Sequence, residues 1–312
     1  MKLRILATLL LAVVTAAAQD SKPAPQGSSW PGWGGGRDTS SDSGPSSRVG
    51  RTVPQGSSVP GLGAAGFIDG PGYIEIGGSR SDLTAPIQPW TDLYIRGDVQ
   101  PTDRDILNLD FERQSRYGDS GMLYSLGETH VFTDFLYMSL DGGMSTGGFF
   151  IPKYKADAFV NYKTLPSRRL VVTAGIGLDQ AKNINGLTSR SARMEAGTTY
   201  YFANWPFIVQ EGFTLTQASP GNVMAPAGYL AITEGHNKEH YITVRAEIGR
   251  EGYELFGNKA SQFTAFNFPI HNWTGTWRQW VGNNWGVNFS FERYVNPYFN
   301  RNGATVGLFL DF

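Results

Sequence analysis

From Gly72 to the end of the chain, apolar and polar residues alternate with period two, the spacing that puts successive side chains on opposite faces of a β-strand. Leu170, Val172, Ala174, Ile176 and Leu178 make one face of such a segment, and Val171, Thr173, Gly175, Gly177 and Asp179 make the other. Ile242, Val244, Ala246 and Ile248 alternate likewise with Thr243, Arg245, Glu247 and Gly249. Leu107, Leu109 and Phe111 alternate with Asn108, Asp110 and Glu112, and Val287, Phe289 and Phe291 with Asn288, Ser290 and Glu292. Charge recurs on the second face, strand after strand. The pattern predicts fourteen strands, near 72–80, 90–100, 104–115, 121–132, 134–144, 154–164, 168–180, 188–203, 206–218, 226–235, 239–250, 259–269, 284–294 and 303–312. Alternation is poor from 259 to 283, where Thr276 to Val281 is expected to form a small helix, and twelve strands is the alternative count.

A soluble β-sandwich alternates too, so the choice depends on which face meets solvent. Three features point to a barrel in lipid. Many segments run about 10 residues or more, as tilted membrane strands require, whereas ordinary strands average about 5 or 6. Aromatic rings gather at strand ends, with Tyr200, Tyr201, Phe202 and Trp205 at one junction and Trp273, Trp277, Trp280 and Trp285 near another, as in an interfacial girdle. At the end of the chain Val306, Leu308, Leu310 and Phe312 face one way and Thr305, Gly307, Phe309 and Asp311 the other. A last strand closing on an aromatic suits recognition by the barrel-assembly machinery, with Phe312 as the signal. The expected fold is therefore all-β: one antiparallel transmembrane β-barrel over 71–312, in contact with outer-membrane lipid and lipopolysaccharide. With the first strand running outward, the periplasmic turns are short (Pro101-Thr102-Asp103, Leu165-Pro166-Ser167, Asn204-Trp205). The outer loops are expected to be longer, including Asp141 to Pro152 and Ala181 to Leu187.

The N-terminal part reads differently. Lys2 and Arg4 precede an apolar run from Ile5 to Val14, and Ala16-Ala17-Ala18 offers a cleavage site, so residues 1–18 are expected to be a removed signal peptide. Residues 19–70 are dominated by Gly, Pro and Ser and are expected to be a disordered periplasmic extension. Within them Pro25 to Gly34 recurs as Pro54 to Gly63, a duplicated linker or a docking segment for a periplasmic partner.

Composition narrows the chemistry. With no cysteine, disulfides, thiolate metal sites and a cysteine nucleophile are excluded. A net charge of −1 argues against a nucleic-acid partner. Thirty-nine glycines and 13% aromatics beside 17% charged residues suit strands, turns and rings at lipid headgroups. Glu128 and His130 share a strand face, and His236 and His240 flank a turn; neither pair has a readable nucleophile motif, so no catalytic residue, metal or cofactor is assigned. The lumen is expected to be lined by Arg96, Asp98, Asp110, Glu112, Asp157, Arg193, Glu195, Arg245, Glu247 and Glu292. Both signs are present, so these groups either create a transverse field in an open pore or pair across the lumen and close it. Asp141, Asp179 and Glu251, near expected outer loops, are candidates for divalent cations bridging lipopolysaccharide.

The barrel region resembles the YaiO family of outer-membrane β-barrels over roughly residues 70–312. The resemblance rests on Arg113 to Gly118 (Arg-Gln-Ser-Arg-Tyr-Gly), on Phe149-Phe150-Ile151-Pro152 after a glycine-rich stretch, and on the ending Gly303 to Phe312. It implies a barrel defined by no catalytic motif, with some relatives associated with envelope polysaccharide production or export. The expected role is a non-enzymatic channel or envelope component, passing a polar solute or polysaccharide. The alternatives are a non-conducting barrel that binds a periplasmic or polysaccharide-export partner through its arm, and a lipid-modifying enzyme using Glu128 and His130.

Overall fold

Every segment with period-two alternation forms a strand, and each strand pairs antiparallel with its neighbours in sequence. The computed structural model describes residues 72–84, 88–164, 168–182, 188–219, 222–236, 238–256 and 263–312. The expected signal peptide, the Gly/Pro/Ser-rich extension and its repeat lie outside them. The strands are β1 (Gly72–Leu83), β2 (Trp90–Val99), β3 (Asp105–Arg116), β4 (Asp119–Val131), β5 (Leu136–Gly147), β6 (Tyr154–Thr164) and β7 (Leu170–Lys182). They continue as β8 (Thr188–Tyr201), β9 (Phe207–Ser219), β10 (Val223–His236), β11 (His240–Phe256), β12 (Phe263–Trp280), β13 (Trp285–Val295) and β14 (Asn300–Asp311). β1 pairs with β14 from Tyr73↔Asp311 to Leu83↔Arg301, closing the sheet into a barrel. Closure leaves no edge strand, so every backbone group within the ladder can be satisfied in lipid.

The two chain ends of this region meet, Gly72 and Phe312 exchanging backbone hydrogen bonds of 3.1 and 2.9 Å. This end of the barrel is called terminal here and the other distal. The outward face is apolar, with Ile76, Leu93, Leu126, Ile176, Val306 and Leu308 all exposed, and the inward face carries the buried charges. That inversion of a soluble protein's pattern identifies the outer surface as lipid-facing.

Two expectations are corrected. β12 is one continuous strand that includes Thr276 to Trp280, so there is no helix there and the count is fourteen. Its inward positions mix Phe268, Ile270, Asn272, Thr274, Thr276 and Arg278, and its outward ones include Asn267, His271 and Gln279, so geometry alternates where hydropathy does not. The second correction concerns the loops. The segments joining successive strands are two to six residues long at both ends. Asp141 to Gly147 belongs to β5, where Gly142 and Gly143 pair with Ala156 and Lys155.

Glycine serves the lumen wall as a recess for rings. Tyr94, Phe159, Tyr229 and Phe309 face Gly77, Gly175, Gly212 and Gly286 across the ladder. A Cβ at these glycines would come within 2.3, 2.1, 2.5 and 2.5 Å of those rings or their substituents. Laying an aromatic ring over a cross-strand glycine fills the interior where a second side chain would collide.

Candidate functional site

The inward side chains form two distinct fillings. At the terminal end the centre is Glu75 on β1, 1% exposed. Its Oε1 accepts from Arg96 Nη2 on β2 (2.6 Å), from the Tyr94 hydroxyl (2.8 Å) and from Asn288 Nδ2 on β13 (3.3 Å). Arg278 on β12, also 1% exposed, donates from Nη1 to Glu75 Oε2 at 3.3 Å and places Nη2 3.7 Å from Asp311 Oδ1 on β14. Asp311 Oδ2 accepts from Trp280 Nε1 (2.8 Å) and Lys238 Nζ (3.0 Å). The Arg278 guanidinium lies 3.5 Å from the Phe309 ring centre and 5.0 Å from that of Trp280. Tyr73, Tyr241, Trp280 and Phe309 pack as one buried cluster around it. Farther round the same end Tyr137, Val171, Tyr201 and Ile208 make a second cluster. Alternation brings these groups together, because Glu75, Arg278 and Asp311 occupy inward positions of β1, β12 and β14 near the meeting of the chain ends.

The middle of the wall carries paired charges: Arg193 with Asp157 at 2.6 Å, Lys155 with Asp141 at 3.4 Å and Arg245 with Glu247 at 2.8 Å. Among the described residues, Asp98, 2% exposed and opposite Tyr73 toward the terminal end, has no hydrogen-bond partner on either carboxylate oxygen, and Asp110, 3% exposed, has none on Oδ2. Lacking a donor, a buried carboxylate is strongly penalised, so such groups mark places where a wall is built for something other than stability.

At the distal end the filling is aromatic and arginine-rich. Trp90 is flanked by the guanidinium groups of Arg116 and Arg301 at 4.9 and 5.0 Å. Tyr117 and Phe299 meet Trp90 edge-on at 5.3 and 6.1 Å, and Tyr117 in turn contacts Phe149 and Phe150 at 6.1 and 6.3 Å. Tyr117, Phe149, Phe150 and Phe299 belong to the connections β3–β4, β5–β6 and β13–β14. This filling is therefore a cap folded over the mouth. Tyr117 holds φ at 56°, a left-handed conformation costing a non-glycine residue about 1–2 kcal/mol, as the two-residue hairpin Tyr117-Gly118 requires. Arg301 also grips Glu292 through two hydrogen bonds of 3.1 and 2.8 Å.

All ten expected lumen residues occupy inward positions; Glu112, Arg193, Glu195 and Glu292 are half-buried and the others buried. Of the expected girdle, Tyr200, Trp205, Trp273, Trp277 and Trp285 face outward. Tyr201 and Trp280 do not: they point into the lumen, 6% and 5% exposed, because neighbours one or three apart on a strand lie on opposite faces. Asp141, Asp179 and Glu251, expected near outer loops, stand within β5, β7 and β11 and find protein partners: Asp141 pairs with Lys155, Asp179 accepts from Ser191 Oγ at 3.2 Å, and Glu251 accepts the Tyr294 hydroxyl. Glu128 and His130 share one strand face as expected, and it is the outward one; the partner of His130 is Asp105, 2.6 Å from its Nδ1. One donor atom from each of Asp105, Glu128 and His130 lies within 4.8 Å of the others, a mixed oxygen and nitrogen set able to hold a divalent cation at the rim. His236 and His240 pair across the β10–β11 hairpin, with His240 Nε2 3.3 Å from Glu234. Sequence reasoning missed Glu75, Lys155, Arg278 and Arg301 as lumen residues; their parity, opposite to that of the outward Ile74, Tyr154, Trp277 and Val306, was the available signal.

A closed sheet of fourteen strands with an apolar exterior and a charged interior defines a transmembrane β-barrel of the outer-membrane class. The YaiO membrane beta barrel domain matches residues 71–254, and the chain belongs to this family. The ending Gly303 to Phe312 lies beyond the matched part. No curated protein matches the chain. Among solved structures it is similar to the CymD monoaromatic hydrocarbon channel, at 9% identity and a TM-score of 0.51, covering 78% of this chain and 89% of that one. It also resembles a bacterial polysaccharide outer membrane secretin (10% identity, TM-score 0.48, 77% and 98% covered). An anion-selective porin from Comamonas acidovorans matches at 8% identity and a TM-score of 0.44, with 77% and 98% covered. At these identities the likeness concerns the fold.

Proposed function

We propose that the protein is a non-enzymatic outer-membrane channel for a small polar solute, held shut by side chains packed on its inner wall. The observation that carries this reading is the terminal plug, in which Glu75 and Arg278 are buried against each other and against Arg96, Asp311 and a cluster of four rings. A barrel that needed only to be filled would be served as well by apolar residues, since replacing buried ion pairs with packed hydrophobic groups is often neutral or stabilising. Charged closure, by contrast, can exchange its partners for water and leave a polar route behind. The carboxylates of Asp98 and Asp110 then line that route and favour cations. A crowded wall suits a small solute better than a polysaccharide strand. Membrane topology follows the same reading: the terminal end, with Gly72 and Phe312, faces the periplasm, and the distal cap faces outside.

Planar-bilayer recordings of the purified protein in asymmetric salt test this. The expected result is a closed baseline with brief, cation-preferring openings. Silence at every voltage, with capture of a periplasmic partner that is lost when residues 19–70 are deleted, would replace the channel with the interaction barrel.

A further inference from the structure

Charge on the outward surface is divided between the two ends of the barrel. Alternation turns every second side chain of a strand toward lipid. On the terminal half, the outward acidic and basic positions of the strands are Asp105, Glu128, Glu211 and Glu234, with histidines but no lysine or arginine. On the distal half they are Arg80, Arg113, Lys182, Arg190, Arg250 and Arg293, with Asp82 the carboxylate beside them among the strand residues whose side chains are described. The whole chain has a net charge of −1, so the collar is a local arrangement and does not follow from general basicity.

The depth of the collar is fixed by its neighbours. Arg293 pairs in register with Trp273, an exposed outward ring of the kind that settles at headgroup level. Arg80 and Arg113 lie three residues, and Arg293 two, from the distal end of their strands. Long cationic side chains at such positions lay their stems on the apolar wall and lift the charge to the membrane surface. What they touch within the protein is weak or neutral: Arg80 meets Asp82 at 3.0 Å with both side chains mostly exposed, Arg293 donates to Asn302 Oδ1 at 2.9 Å, and Arg250 donates to the Asn267 carbonyl at 2.9 Å. Guanidinium groups so placed match phosphate oxygens in pairs.

We infer that the distal collar binds the phosphate groups of an anionic glycolipid of the lipid A kind in the surrounding leaflet. This inference goes beyond the channel reading and stands whether or not the lumen conducts.

The test is lipid binding by native mass spectrometry of the purified protein in neutral detergent, with diphosphorylated lipid A and its dephosphorylated form as probes. The phosphorylated probe should bind at least about tenfold more tightly, and the combined substitution Arg80→Gln, Arg113→Gln, Arg293→Gln should remove at least about tenfold of that affinity. Glu234→Gln on the terminal half should leave it unchanged, and inorganic phosphate should not compete. Equal binding of the two lipids by the unmodified protein overturns the inference without recourse to any variant. So does full affinity in a triple variant that still shows the heat-dependent gel shift of a folded barrel, and competition by inorganic phosphate would assign the collar to a free anion.

Discussion

The two ends of the lumen are filled by different means. The terminal plug is made almost entirely of side chains from the strands β1, β2, β11, β12, β13 and β14, locked by ion pairs and rings with hardly any exposed surface. The distal cap relies on Tyr117, Phe149, Phe150 and Phe299, which stand on connecting segments and reach across to Trp90. Strand residues in a closed ladder move only when the wall deforms, whereas connections respond at far lower energy. On the proposed channel reading, closure belongs to the plug and access to the cap.

Arg278→Ala should have the largest effect. It leaves Glu75 and Asp311 short of their buried cation, and removing one member of a buried pair costs about 3–5 kcal/mol, which urea unfolding in lipid vesicles would measure. The paired replacement Glu75→Leu with Arg278→Met sharpens the point, because it should restore most of that stability while closing the lumen for good, so that stability and conductance part company. Gly77→Ala comes next: its Cβ would stand 2.3 Å from the Tyr94 hydroxyl that holds Glu75, and the forced shift should cost about 1–3 kcal/mol in the same assay. In the cap, Tyr117→Gly loses ring contacts but relieves the left-handed backbone, so stability should change by less than about 1 kcal/mol. Entry of a small reporter solute into vesicles carrying that variant should nevertheless rise. Last, His130→Ala at the outward rim should leave lipid turnover unchanged, against the enzyme reading, and stability within about 1 kcal/mol.

The architecture was legible because a membrane barrel repeats one rule in each strand. Leu170 to Asp179 or Ile242 to Gly249 announces both the strand and its faces, and the ten inward charges follow from parity alone. β12 was the exception, since it sets Thr274, Thr276 and Arg278 among apolar inward neighbours and His271 and Gln279 among outward ones. Misreading it as a helix hid Arg278 and turned Trp280 to the wrong face. The plug was hidden for a related reason: Glu75 and Arg278 are 203 residues apart and meet only because the barrel closes. The cap was less legible still, as nothing local in Phe149-Phe150 indicates that these rings fold inward to Tyr117. The outward collar needed the exact length of each strand before its charges could be assigned to an end.

The most direct test of the central claim is the conductance of Arg278→Ala beside the unmodified protein, in planar bilayers and at equal amounts of folded barrel. A closed baseline in the unmodified protein and a sustained, cation-preferring current in the variant is the predicted result. A folded variant as silent as its parent would contradict the account, because the lumen would then be shut by something other than the Glu75–Arg278 plug.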